Sequence, residues 1–148
     1  MAPDDHVGAR VLLMGALGVT PYVDRAMEVL ELAERGRDGE HRALVIARDG
    51  TVAALALFGS VAGALGVVKI HATTLAPGVG ADVGARLLAA VAEAARAEDA
   101  RMLFAEVPDD PAVGSTRALL LAAGFREEAR VADFFRDGIA LSLLRLEL

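Results

Sequence analysis

HATTLAPGVGADVGARLLAAV, residues 71–91, decides the architecture. It reads as a strand, a glycine-rich loop and a helix in immediate succession. At such a junction the first backbone N–H groups of the helix have no partner within it, and the positive end of the helix dipole points the same way. Phosphate groups bind there. Asp82, an anion, stands among the glycines of this loop.

The segments on either side place the loop in a sheet. Before it, "RALVIARDGTVAALALFGS" is two apolar runs joined by Asp49-Gly50, a hairpin signal, and "GVVKIHATTL" is the third strand. Two helices precede these. "DDHVGARVLLMGALG" ends at Gly18. In "VTPYVDRAMEVLELAERGRDG" Thr20 is expected to cap, Pro21 to open the first turn and Gly36 to close. Tyr22, Val23, Ala26, Met27 and Leu30 form its apolar stripe. After the loop's helix come a short strand, "RMLFAEV", then "PDDPAVGSTRALLLAAGF", a loop and helix ended by Gly124. A strand pair around Asp137-Gly138 closes the chain. The predicted order is ααββ βα βα ββ. This is a mixed α/β (α+β) domain over residues 1–148, with a largely antiparallel sheet flanked by helices.

Composition narrows the class. At 148 residues with 55% hydrophobic and 24% charged residues, the chain can build one sizeable core. Fifteen basic residues against twenty-one acidic give a net charge of −6, and no Lys/Arg cluster offers a footprint for nucleic acid. Fourteen of the fifteen are Arg, which reads as compositional bias; the lone Lys69 sits in a predicted strand. No apolar run reaches the ~18 residues that cross a bilayer, so no membrane partner is expected. The absence of cysteine and of a secretory start fits the cytoplasm. His6 and His41 have no partner at ligand spacing, so no metal is expected.

The order of elements and several local motifs resemble the GNAT superfamily of acyl-CoA-dependent N-acetyltransferases over almost the whole chain. Leu75-Ala76-Pro77 matches the family's Val-x-Pro strand end. Val79 stands at the Arg/Gln position of the cofactor loop, Asp82 at its first glycine, and Gly84 at its second. Downstream, Leu119, Gly124 and Phe125 match, whereas Val113, Thr116 and Leu120 replace the family's Asn, Ala and Tyr. The family's initial strand is not legible before the first helix.

The resemblance implies acetyl-CoA as co-substrate and a small-molecule or peptide amine as acceptor. It implies backbone pairing of the pantetheine arm around Thr74 and Leu75. Val79, Gly80, Ala81, Asp82, Val83, Gly84 and Ala85 would hold the pyrophosphate. It also places His71 where many members carry a glutamate base. Histidine's ordinary pKa near 6.5 suits that role, and period-two alternation puts Lys69, His71, Thr73 and Leu75 on one face. The other reading of His71 is a strand histidine bonded in the core or facing solvent.

Glu106, ending a strand beside the same cleft, is the second candidate base, or a solvated carboxylate. Asp82 either faces the phosphates or turns away to cap the helix, with Arg86 one turn on as a neutralising cation. Leu120 cannot donate a proton to the departing thiolate as the family's tyrosine does. Asp109 and Asp110 read as a turn, and Phe134 and Phe135 as core or homodimer contacts. Asp133 and Asp137 are hairpin-end acids that a cationic substrate could meet.

Two rivals stand beside transfer. "GVGADVG", with Glu106 downstream, approaches a dinucleotide fingerprint, but its spacing is one residue too long. The other is a GNAT-fold binding or regulatory domain whose cofactor cleft has decayed, as Val79, Asp82, Val113 and Leu120 suggest.

Overall fold

In the computed structural model, which describes residues 5–36 and 40–148, Asp49 and Gly50 take φ of 51° and 73°. Two successive positive φ values give the tight turn whose twist matches paired strands. They join β1 (His41–Arg48) to β2 (Thr51–Ser60), and β3 (Val67–Leu75) pairs antiparallel on the far side of β2. α3 (Ala81–Arg96) then crosses over to β4 (Met102–Pro108), which runs parallel to β3. A single 3-10 turn at Pro111–Val113 leads into α4 (Gly114–Ala122). The chain closes with β5 (Arg126–Arg136) and β6 (Ile139–Glu147). The six strands lie in the order β1-β2-β3-β4-β6-β5.

Two apolar layers sandwich the sheet, because side chains alternate between its faces. Ala54, Ala56, Phe58, Val68 and Ile70 pack against Val83, Leu87, Leu88 and Val91 of α3. Leu55 and Leu57 pack on the opposite face against α1 (Asp5–Leu17) and α2 (Val23–Arg35). Burying a Leu or Val side chain completely contributes about 1.5–3 kcal/mol, so each layer holds its helices firmly.

Two local expectations need correction. Thr20 does not cap α2: its hydroxyl donates to Leu17 O at 2.7 Å and accepts from Tyr22 N at 3.3 Å, so residues 20–22 form a turn ahead of the helix. Tyr22 occupies the N-cap position without a side-chain cap bond. At the other end Gly36 does close the helix, with φ 56° and its N–H on Leu32 O. α1 opens at Asp5, the first described residue, so the question of a strand before it lies outside the described residues. No helix among them is long and apolar enough to cross a membrane.

Candidate functional site

β3 and β4 pair only over Val67–Ile70 and Met102–Ala105. Beyond Ile70 and Ala105 each strand follows its other neighbour: β3 stays with β2 as far as Leu75↔Ala54, and β4 stays with β6 as far as Pro108↔Leu141. A wedge opens between them, and the first residues on its two sides are His71 and Glu106. The main chain of Thr73 faces into the wedge, where its carbonyl accepts a 3.3 Å hydrogen bond from Thr116 Oγ1 of α4. An unpaired strand edge in a cleft is suited to an extended ligand that adds main-chain hydrogen bonds. The buried hydroxyls of Thr73 and Thr74 have no protein partner there.

His71 sits on a bulge. Leu57 pairs with Ala72 and Phe58 with Ile70, which leaves His71 as the extra residue on β3. The expected alternation therefore fails. Lys69 lies opposite Gly59 on the α1–α2 side, while Thr73 and Leu75 lie opposite Ala56 and Ala54 on the α3 side. A bulge re-aims side chains in this way. It brings the His71 ring to 5.5 Å from His41. Burial, reinforced by the charges of Lys69, His41 and Arg25, pushes the His71 imidazole from 6.5 down to about 4. Its Nε2 is buried without a protein partner. Lys69 Nζ binds Glu106 Oε2 at 2.6 Å across the wedge, so Glu106 already carries a cation.

The depressed imidazole makes stability depend on pH. Its folded pKa lies below the unfolded value, so the unfolded chain binds more protons between pH 6.5 and about 4. The contribution is complete above 6.5 and is lost as pH falls towards 4, roughly 2 to 3 kcal/mol after allowing for partial solvent screening. Urea melts of the wild type and His71→Gln at pH 7.5 and 4.5 check this: the variant should lose less stability on acidification. Equal losses would contradict it.

The glycine loop divides its labour. Pro77 and Gly78, with Gly78 at φ 77° and Val79 N on Ala76 O at 3.1 Å, form a turn that reverses the chain. Gly80 is the N-cap of α3. Gly80, Ala81, Asp82 and Ala85 are exposed, whereas Val83 and Gly84 are buried. A Cβ at Gly84 would lie 2.5 Å from Leu119 Cδ1, so this glycine lets α3 pack closely on α4.

Asp82 makes no cap bond. Its Oδ1 hangs over Gly80, 2.5 Å from where a Cβ would stand there, and its side chain is 74% exposed. The cation that meets it, at 4.0 Å, is Arg48 from the end of β1 rather than the expected Arg86.

The opposite wall was not legible in the sequence. Tyr22, the chain's single tyrosine, donates its hydroxyl to Asp110 Oδ2 at 2.9 Å. The same carboxylate accepts from Arg136 at 3.1 Å, and its Oδ1 accepts from Ala112 N at 2.9 Å. Asp110 thus turns the chain, as expected, and also ties α2, α4's approach and β5 together. These bonds hold its carboxyl below the usual range, while burial and Asp110 push the Tyr22 phenol up.

Between Val131↔Leu141 and Arg136↔Ile139, four residues of β5 (132–135) oppose one of β6, Ala140. That bulge, with Asp133 at φ 51° accepting from Gly138 N, swings Phe135 onto Tyr22, edge to face at 5.5 Å. Asp133 is therefore a turn residue. Phe134 and Phe135 belong to the protein surface, 57% and 38% exposed, rather than to the core. Leu120 is fully buried.

Together these residues enclose a cleft of about 350 Å³ around His71, Glu106, Tyr22 and Phe135, continued by one of about 240 Å³ along Thr74, Leu75, Val79 and Thr116. Among the described residues no group of three or more His, Asp or Glu is placed to hold a metal ion.

No family model matches the sequence, and no curated protein matches it either. Solved structures do. A protein from Desulfovibrio desulfuricans assigned to the GNAT family of acetyltransferases superposes with a TM-score of 0.85 at 28% identity, over 99% of this chain and 94% of that one. An acetyltransferase-like protein of Salmonella typhimurium, solved with acetyl-CoA, gives 0.77 at 20% identity over 99% and 91%. The ribosomal-protein-alanine N-acetyltransferase of Brucella melitensis gives 0.76 at 23% over 99% and 97%. The likeness runs over 99% of the chain in all three: the fold of the chain is that of the GNAT superfamily of acetyltransferases.

Proposed function

We propose that the chain moves an acetyl group from acetyl-CoA to the nitrogen of a small amine by direct transfer. The observation that carries this reading is the wedge between β3 and β4, which opens at His71 and leads to the N-terminus of α3. In it an extended thioester arm can pair with the free edge of β3 near Thr73 and Leu75. The pyrophosphate would lie against the amides that open α3, in the loop from Val79 to Ala85. Arg48 supplies a cation there and offsets Asp82.

The amine nitrogen attacks the thioester carbonyl, a C–N bond forms, and the C–S bond breaks. The thiolate leaves with its electron pair and needs no donor, its parent pKa being about 8.5 for a simple thiol. With no cysteine in the chain, no acyl-cysteine intermediate forms. His71 cannot strip an ammonium: an alkylamine near pKa 10 lies about six units above this imidazole, about 8 kcal/mol uphill. The acceptor therefore enters neutral. The unprotonated imidazole accepts a hydrogen bond from its N–H as attack makes that nitrogen acidic, and the proton that the nitrogen loses passes through solvent to the departing thiolate or to bulk water. Glu106 fixes Lys69 and so sets the charge of the cleft.

Asp82 favours a second reading, a binding domain with a weakened CoA site, because its carboxylate hangs over the loop. Thermal shift with CoA separates the two. At 100 times the dissociation constant, CoA should stabilise the chain by about 2.7 kcal/mol. Asp82→Asn should tighten binding about threefold to tenfold, the low end of the Coulomb range for an exposed pair of like charges. No shift at millimolar CoA, with no thiol released for any amine, would decide for the second reading.

A further inference from the structure

The wider part of the cleft carries the mark of its acceptor. Its lining side chains include two formal cations, Arg25 and Lys69, and one carboxylate, Glu106. That carboxylate is taken by Lys69 at 2.6 Å, and Arg25 pairs with Glu28 at 2.6 Å. His71 is neutral near pH 7. Among the described residues that line it, a guest with several ammonium groups would therefore meet two cations already held in ion pairs and no unengaged carboxylate. Like charges brought together without an added counter-charge disfavour the charged form.

Apart from Thr73 and Thr116 the rest of the lining is apolar or aromatic, with Tyr22 and Phe135 its two phenyl-bearing side chains. Phe135 stands edge-on to Tyr22 at 5.5 Å, and Phe134 stands edge-on to Phe135 at 5.0 Å, so three rings run from the cleft outward. This ladder is held deliberately. The Tyr22 hydroxyl is pinned to Asp110, Arg136 binds the same carboxylate, and the four-against-one bulge of β5 turns Phe135 inward. Rings fixed at an edge-to-face spacing present faces and edges for another ring. A volume of about 350 Å³ admits a small guest only.

We infer that the acceptor is an arylalkyl monoamine, its ring packed against Phe135 and Tyr22 and its single amine directed towards His71. This rests on the acyl-transfer reading for the reaction, but the pocket's preference for an aromatic guest is independent of turnover.

The test has two arms on the full chain. In the first, kcat/KM with acetyl-CoA is measured for phenethylamine, n-butylamine, spermidine and an aminoglycoside, in wild type and Phe135→Ala. Phenethylamine should exceed both polycations by at least about tenfold. Phe135→Ala should raise KM for phenethylamine about tenfold and leave butylamine nearly unchanged. Phe135 is 38% exposed, so the variant should fold; Phe135→Tyr should restore the KM. In the second arm, calorimetry measures binding of phenethylamine and spermidine in the presence of CoA, without any reaction.

Tighter phenethylamine binding without turnover would sink the transfer reading and keep the aromatic site. A polycation as the better substrate or ligand, or an equal loss for all amines in Phe135→Ala, would overturn the inference.

Discussion

Between pH 6 and pH 9, kcat/KM for an alkylamine acceptor is expected to climb about tenfold per pH unit, close to a thousandfold in all, with no plateau near 6.5. The slope follows from the imidazole at about 4. Throughout this range His71 is already neutral, so its titration contributes nothing. The quantity that changes is the neutral fraction of the amine, which grows tenfold per unit until the amine's own pKa near 10. An acceptor of lower pKa should therefore move the break downward by the same amount. The profile is measured at subsaturating amine and saturating acetyl-CoA. A break fixed near 6.5 for every acceptor would mean that an enzyme histidine of ordinary basicity does the deprotonation, and the proposed role of His71 would fail.

The resemblance pointed to His71, but its depressed basicity could not be read from the sequence, and the reason is local. The positions of the elements were legible because they rest on short-range signals. Asp49-Gly50 dictates its hairpin, Gly36 its helix end, and Pro77-Gly78 the break before α3. The parallel β3–β4 pair followed from the single strand–helix–strand unit. The bulge at His71 has no such signature: it arises from how β3 fits β2, and it reversed the faces of Thr73 and Leu75. Burial then moved the pKa by an amount that sequence spacing does not encode.

The far wall was hidden for a related reason. Tyr22 and Asp110 are 88 residues apart, and Asp110 and Arg136 are 26 apart. Only the fold brings them together. In sequence Tyr22 is one member of an apolar stripe, and its hydroxyl is the one clue that it needed a polar partner. Arg48 reaches Asp82 in the same way, over 34 positions and through the sheet. Leu120 shows the converse. Its replacement of a tyrosine was plain in sequence, and the structure makes it a core residue with no exposed surface.

Replacing His71 with alanine should lower kcat about 10- to 100-fold and leave the CoA dissociation constant within about twofold. The asymmetry follows from placement. His71 stands at the apex of the wedge beside Glu106, whereas the loop proposed to hold CoA begins beyond Leu75, and Thr73 and Thr74 lie between. A neutral imidazole that accepts one hydrogen bond in the transition state is worth less than a matched base, which sets the low end of the range. His71→Gln keeps an acceptor atom and should recover part of the loss. His71→Ala should also flatten the acid limb of stability between pH 6.5 and 4, because the buried group that the unfolded chain protonates there is gone. Single-turnover rates, CoA calorimetry and urea melts on the same variants read the three effects separately. Should alanine weaken CoA binding as much as turnover, with glutamine no better, the imidazole would be a packing residue of the bulge. Proton handling in the cleft would then have to lie with solvent alone.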